Sequence, residues 1–406
     1  MNLNLTLQEA EDLYLKLSSK NLNLDLTRGK PHADQLELSE KMESSLSGNY
    51  FFEGVDTRNY GELLGLEACR QLGADLLGCR KEMVIAGGNS SLTLMSQYLS
   101  SLYFQGTGHG PFSLDKRTSF LCPVPGYDRH FKLCEEFSIN MIPVPLTGCG
   151  PDIDYIKSII DNDDSIKGIW CVPKHSNPTG ETYSEDNVYE LLAIAKRLNK
   201  DFRIFWDNAY AVHDFKESPS LPNIFSMASK LKVEESVIGF GSTSKISFAG
   251  AGISFIGMSE ENLSRFIKHY SSMVIGPDKV NQARHIMFFK NFNGLLSHMQ
   301  KHAEILRPKF EIVEKWLSKQ SFGTWTHPTG GYFVSFNSKP GLAKEIIKLS
   351  NSSGLKLSPA GSTFPYGVDP NDENIRLAPT ACSNEELESA MELFVTCVVL
   401  ANLRGS

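Results

Sequence analysis

Through the middle of this chain, short apolar runs rich in β-branched and aromatic residues alternate with helical patterns, and no other feature limits the fold as tightly. The runs fall at residues 83–86, 120–123, 141–144, 168–172, 202–206, 237–241 and 253–258. Nearly continuous apolar character, without strict polar alternation, is what a strand buried on both faces requires. Helical patterns lie between them at 92–104, 128–137, 184–198 and 260–270, the third opening on Ser184 as a candidate N-cap. Strands alternating with helices read as βαβ units. The expected fold is therefore α/β, a mostly parallel seven-stranded sheet with helices on both faces.

The texture changes after Gly276-Pro277. A polar-amphipathic stretch at 295–318 predicts one extended helix, followed by a strand-and-helix mixture at 331–336, 341–350, 374–378 and 384–401. Before the first run, residues 7–17 carry one helical pattern and 25–36 an irregular segment with Gly29 and Pro31. The expected organisation is an N-terminal arm (1–45) packing with a smaller domain, a large domain (46–279), and that smaller α+β domain (280–406). A length of 406 residues exceeds one comfortable hydrophobic core, which agrees with two bodies.

Composition removes several classes of function. Hydrophobic residues at 41% and charged residues at 21% exclude a disordered or collagen-like chain. With 40 Lys+Arg against 47 Asp+Glu, the net charge is −7, and no basic stretch could track a phosphate backbone. Nucleic acid is not an expected partner. No segment reaches the roughly 18 apolar residues of a membrane helix, and the amino terminus lacks a signal-peptide layout, so the expected location is the cytoplasm, away from membranes. The eight cysteines contain no C-x-x-C pair and read as reduced thiols, with no metal site expected.

Four local patterns carry chemistry. Gly-Ser-Thr-Ser-Lys at 241–245 follows a predicted strand and precedes Ala249-Gly250-Ala251-Gly252. Burial there would lower the Lys245 pKa and free a nucleophilic amine, although the same string alone reads as a surface lysine on a polar loop. Asp207 closes the apolar strand 202–206, at the edge where open α/β sheets bind ligands, and could meet a cationic ring nitrogen or a metal; an ordinary capping residue is the alternative. His175-Ser176-Asn177-Pro178-Thr179-Gly180 predicts a turn that fixes the Asn177 amide, in a composition that many turns share. Ala86-Gly87-Gly88-Asn89-Ser90-Ser91 joins a strand to a helix, where glycines and free N–H groups suit a phosphate. Each pattern is weak by itself; their order along the chain is informative.

In that order the motifs resemble the fold type I, class I/II aminotransferases, which use pyridoxal 5′-phosphate. Residues 25–31 (DLTRGKP) and 242–245 (STSK) are similar to the aspartate-aminotransferase-like branch related to the aminotransferase domains of MocR-type regulators. The resemblance runs from about Gly29 to the C-terminal helix. It implies that Lys245 holds the cofactor aldehyde covalently and then shuttles the substrate proton. It implies that Asp207 pairs with the cofactor's ring nitrogen, that Asn177 and Tyr210 bond its phenolate oxygen, and that Tyr127 stacks on its ring. Gly88, Asn89, Ser90, Ser242 and Ser244 would hold the phosphate. Tyr60 matches a tyrosine donated by a second copy, which makes a homodimer the expected assembly. Arg376 matches the arginine that grips the substrate α-carboxylate, and Gly29 the glycine beside it.

One position departs from the family. Where an arginine commonly pairs with the phosphate, eight residues after the lysine, this chain has Ile253. A basic residue from elsewhere, Arg28, Lys30 or Lys174, is expected to compensate in part. The expected activity is transfer of an amino group from an L-amino acid to a 2-oxo acid in two half-reactions, with aspartate or glutamate and 2-oxoglutarate as substrates. Arg28, Lys30, Lys174 and Arg129 are the cations available for a second carboxylate. A β-lyase or decarboxylase on the same scaffold is the alternative chemistry, and a non-catalytic ligand-sensing domain the alternative class.

Overall fold

The computed structural model describes residues 5–161, 163–198 and 201–405; the expected arm and domains also include residues 1–4, 162, 199, 200 and 406, which lie outside the described residues. Each of the seven apolar runs forms a strand of one sheet: β1 Val84–Ala86, β2 Ser119–Val124, β3 Asn140–Pro145, β4 Ile166–Cys171, β5 Arg203–Asp207, β6 Val237–Ser242 and β7 Ser254–Met258. Their spatial order is β1-β7-β6-β5-β4-β2-β3. The pairs from β3 through β6 are parallel, whereas β7 runs antiparallel to both β6 and β1. The reason is the connection between β6 and β7. Residues 243–253 are too few for the crossover that a parallel return needs. The chain therefore turns back at once, and this short return carries Lys245.

Successive residues of a strand face opposite sides of the sheet. Val84, Ile169, Ile204, Trp206 and Phe255 enter one core with the helices Glu67–Leu77 and Glu185–Arg197. Their neighbours Ile85, Trp170, Phe205 and Ile256 enter the other, against Ser91–Phe104 and Glu260–Tyr270. Full burial of each such side chain contributes about 1.5–3 kcal/mol. Helix starts follow their caps: Ser184 accepts from the Asn187 N–H at 3.2 Å, as its position suggests.

A further core forms around the antiparallel strands Gly323–Trp325, Val334–Ser338 and Asn374–Leu377. It includes the second half of the helix Phe292–Leu317, the helices Ala343–Ser352 and Asn384–Arg404, and the N-terminal helix Leu7–Ser18. Within the expected segment 331–336 a strand begins only at Val334, because Gly330 and Gly331 pack closely against His175. The first turns of Phe292–Leu317, with Leu295 and Met299, belong to the core of the large sheet. That helix joins the two cores, and a cavity opens between them at the carboxyl ends of β4, β5 and β6.

Candidate active site

The cavity has a volume of about 600 Å³. Asp207 ends β5 and Ser242 ends β6, while Tyr127 and Asn177 follow β2 and β4 by a few residues. Parallel strands deliver their ends to one edge, so residues distant in sequence converge there. Lys245, Asp207, Tyr210, Tyr127, Asn177, Ser90, Ser242, Ser244, Gly29 and Arg376 all line the cavity. Gly88, Asn89 and Tyr60 do not. Gly88 and Asn89 border a separate cavity of about 360 Å³ with Gly250, Gly252, Ile253 and Arg284. Tyr60 stands 82% exposed on the surface.

Asp207 is buried, and its two oxygens differ. His130 Nε2 donates to Oδ2 at 3.0 Å, whereas Oδ1 is buried with no partner among the described residues. His130 is itself stacked on Trp170, ring centroids 4.2 Å apart, so it fixes the carboxylate from behind. Leaving a buried carboxylate oxygen unpaired is costly, and a cationic N–H donor in the cavity would relieve that cost. Sequence reading missed His130. Its one available signal was a position one helical turn after Tyr127, on the helix Asp128–Glu136.

Lys245 Nζ lies 5.0 Å from the centre of the Tyr210 ring. Burial lowers its pKa from the ordinary lysine value, opposed by the charge of Asp207. The amine is thereby biased toward its neutral, nucleophilic form. Burial also pushes the Tyr127 hydroxyl up to about 12, with Asp207 and Asp128 acting in the same direction and Arg129 and Arg376 against. Tyr210 is raised as well, first by burial and then by Tyr127 and Asp207. Both phenols therefore stay protonated and serve as donors.

Arg376 is buried on the strand Asn374–Leu377 and makes only long bonds. Its NH1 donates to Asp128 Oδ1 and Asn177 Oδ1, both at 3.3 Å, and its NH2 to the Thr27 carbonyl and Ser358 Oγ, both at 3.2 Å. The Nε is buried without a partner among the described residues. Phe333 lies under the guanidinium, 5.0 Å from its carbon, and explains Gly29: a Cβ there would meet the Phe333 ring at 2.6 Å. Phe333 and Ser358 were invisible to the sequence reading, since each acts only through Arg376.

At the opposite end, Ser90 precedes the helix Ser91–Phe104 without capping it, which leaves the first N–H groups of that helix for an anion. Ser242 and Ser244 stand nearby in the cavity wall, and the Ser244 hydroxyl donates to the Asn89 carbonyl at 2.8 Å. Ile253 is packed in the core of the sheet, its N–H donated to Thr243 Oγ1. Of the three cations expected to compensate, Arg28 and Lys30 line the cavity. Lys174 does not: it bonds Asp214 at 2.7 Å, a partner forty residues away that no local string announces.

The residues present fit one group well. A carboxylate oxygen lacking a cationic donor, a buried lysine amine, two phenols and an open helix N-terminus surround a single cavity, and pyridoxal phosphate carries a basic ring nitrogen, an aldehyde, a ring oxygen and a phosphate to match. The protein is a pyridoxal-phosphate enzyme of fold type I, an aminotransferase. It belongs to the aspartate amino-transferase family, whose model matches residues 2–405. An aspartate aminotransferase of Corynebacterium glutamicum is 43% identical over 404 residues, covering 96% of this chain and 93% of that protein. The crystal structure of an aspartate transaminase from the same species superposes with a TM-score of 0.92 at 41% identity, over 99% of each chain. The MocR resemblance has a counterpart in the HTH-type transcriptional regulator NorG of Staphylococcus aureus, 21% identical over 396 residues, covering 96% of this chain and 82% of that one. Among the described residues, no helix is long and apolar enough to cross a membrane.

Proposed function

We propose that this aminotransferase acts on dicarboxylic substrates, exchanging the amino group of aspartate or glutamate with 2-oxoglutarate. The carrying observation is a second guanidinium. Arg129 lines the same cavity as Arg376 and, unlike Arg28 and Lys30, is half-buried. A cation partly withdrawn from water binds a carboxylate more strongly than a solvated one. The name borne by the C. glutamicum relatives supports the same reading.

Pyridoxal phosphate, when bound, supplies the electron sink for the bond broken at the substrate carbon. Lys245 would hold it covalently through its amine and would serve as the base that takes the proton from the substrate Cα. Asp207, steadied by His130, keeps the ring nitrogen protonated. Asn177 and Tyr210 donate to the ring oxygen, and Tyr127 covers the ring. Ser90, Ser242, Ser244 and the N–H groups opening Ser91–Phe104 would hold the phosphate, while Arg28 and Lys30 flank Gly29 at the Arg376 end of the cavity rather than at the phosphate end. Arg376 takes the α-carboxylate beside Gly29, its bond to Asn177 tying the substrate end of the site to the cofactor end.

The reading extends to the assembly. Tyr60 would complete the site of a second copy; the larger unit would extend past residue 279, since Ala283, Ile286, Phe289, Leu295 and Met299 pack in its core, and the described part of the arm would pack on the smaller unit through Ala10, Leu17 and Leu24. Free thiols at all eight cysteines agree with a reducing compartment, the cytoplasm. The test is a panel of amino donors against 2-oxoglutarate, with wild-type protein and Arg129→Met. Aspartate and glutamate should lead, and the variant should lose about tenfold to a hundredfold of kcat/KM for them while leaving monocarboxylic donors nearly unchanged. Equal losses for all donors would remove Arg129 from substrate selection.

A further inference from the structure

Two segments leaving the sheet carry cavity residues and, beside them, charged residues that do not line the cavity. After β4 the chain reads Lys174, His175, Ser176, Asn177; after β5 it runs from Asp207 through Tyr210 to Asp214. Asn177, Asp207 and Tyr210 line the cavity. Lys174, His175 and Asp214 bond one another instead. Lys174 Nζ donates to Asp214 Oδ2 at 2.7 Å and to the Ala211 carbonyl at 3.1 Å, and His175 Nε2 donates to Asp214 Oδ1 at 2.8 Å. One carboxylate thus clamps two loops, an oxygen to each neighbouring residue. Burial acts to raise the Asp214 carboxyl, but the bonds from His175 and Lys174 prevail and hold it well below the ordinary range.

A third segment closes on the same point. Asp214 bridges Gly330, the Phe215 N–H donates to the Thr329 carbonyl at 3.0 Å, and the Gly331 N–H to the His213 carbonyl at 3.0 Å. Phe333, two residues further on, is the ring beneath Arg376. Packing at the junction is tight: a Cβ on Gly330 would lie 2.2 Å from His175 Nε2. His175 itself has φ +48°, a conformation retained by a non-glycine residue only where its surroundings enforce it. The other titratable groups facing this junction include His213, Tyr210, Tyr332, Lys245 and His302. Lys174 and His175 are buried and Asp214 is part-exposed, so the attraction is largely offset by the cost of withdrawing the charges from water. The specific product of these contacts is geometry.

We propose that Lys174, Asp214 and His175 are a positioning cluster that sets the placement of Asn177 and Tyr210 around the cofactor's ring oxygen. The inference rests on the roles given to Asn177 and Tyr210 above. Neither Lys174 nor Asp214 touches the reacting atoms, so the cluster acts through the loops.

The test uses the holoenzyme and reads the pH midpoint of the bound cofactor's absorbance, the cofactor dissociation constant, and Tm. Asn177→Ala and Tyr210→Phe calibrate the midpoint. Asp214→Asn and Lys174→Met should move it in the calibrated direction and weaken cofactor retention about tenfold, the scale of loss expected when a catalytic group is displaced without being removed. Lys174→Arg should restore most of the shift, and Gly330→Ala, which wedges His175 aside without altering a charge, should reproduce it. A lowered Tm with midpoint and retention unchanged would make the cluster merely structural and overturn the proposal. If the calibrating variants also leave the midpoint in place, the roles of Asn177 and Tyr210 fall, and the proposal with them.

Discussion

Holding a lysine amine out of water costs the fold stability and, in the role proposed above, would give the site its nucleophile, so at Lys245 the two effects can be measured against each other. In the unfolded chain this lysine titrates near 10.5; in the folded protein burial lowers that value. Below 10.5 the unfolded state therefore binds more protons at this position, and stability rises with pH through the window between the lowered value and 10.5. Lys245→Met removes the penalty. The apo form of that variant should melt about 1–3 °C above the wild-type apo protein near neutral pH, with the gap narrowing as pH is raised toward 10.5. Its transamination rate should fall by at least about a thousandfold, since the anchor and the proton carrier are lost together. Calorimetry and single-turnover kinetics on one preparation would check both. A variant that lost activity and also melted lower at every pH would show that Lys245 is not strained in the fold.

At the scale of elements, the seven strands were legible because burial on both faces writes itself as continuous apolar runs, a signal needing no knowledge of partners. The reversal of β7 was not legible as a direction, although the shortness of 243–253 contained the reason. Close packing leaves a weaker trace. Gly73, inside the helix Glu67–Leu77, lies over β7 so closely that a Cβ would come within 2.3 Å of the Phe255 ring. Gly73→Ala should gain helix propensity yet lose about 1–3 kcal/mol to overpacking, seen as a lower denaturation midpoint with kcat nearly unchanged. A stabilised variant would mean that this interface has slack. The site divides along the same line. Lys245, Asp207 and Asn177 stood out because chemistry clusters in short strings at or just past strand ends, whereas Arg376, inside the strand Asn374–Leu377, was reached only through the family resemblance. His130, Phe333 and Ser358 did not stand out, because each is defined by what it touches across the fold, and Lys174 misled because a sequence displays a cation without displaying Asp214.

For the whole molecule, the segment around Tyr60 poses a question that one chain cannot answer internally. The buried Lys279 amine donates to the Asn59 carbonyl at 2.6 Å and the Gly61 carbonyl at 3.0 Å, so the backbone on either side of Tyr60 is pinned. Yet the Tyr60 ring projects into solvent, and a Cβ on Gly276, next to the exposed Ile275, would meet the Gly61 carbonyl at 2.2 Å, which brings that apolar side chain to the same segment. A rigid, partly apolar surface presenting an aromatic phenol is a poor arrangement for a monomer and a good one for a two-fold interface. If each site takes Lys245 from one chain and Tyr60 from the other, two crippled homodimers can repair each other. Lys245→Ala and Tyr60→Ala proteins would each be nearly inactive alone. Unfolded together and refolded in equal amounts, half of the dimers would be hybrids with one intact site in two, giving about a quarter of wild-type activity by random assortment. Were Tyr60 to serve the cavity of its own chain, every hybrid would contain only defective sites. Mixing would then restore nothing, and the shared-site reading would be excluded.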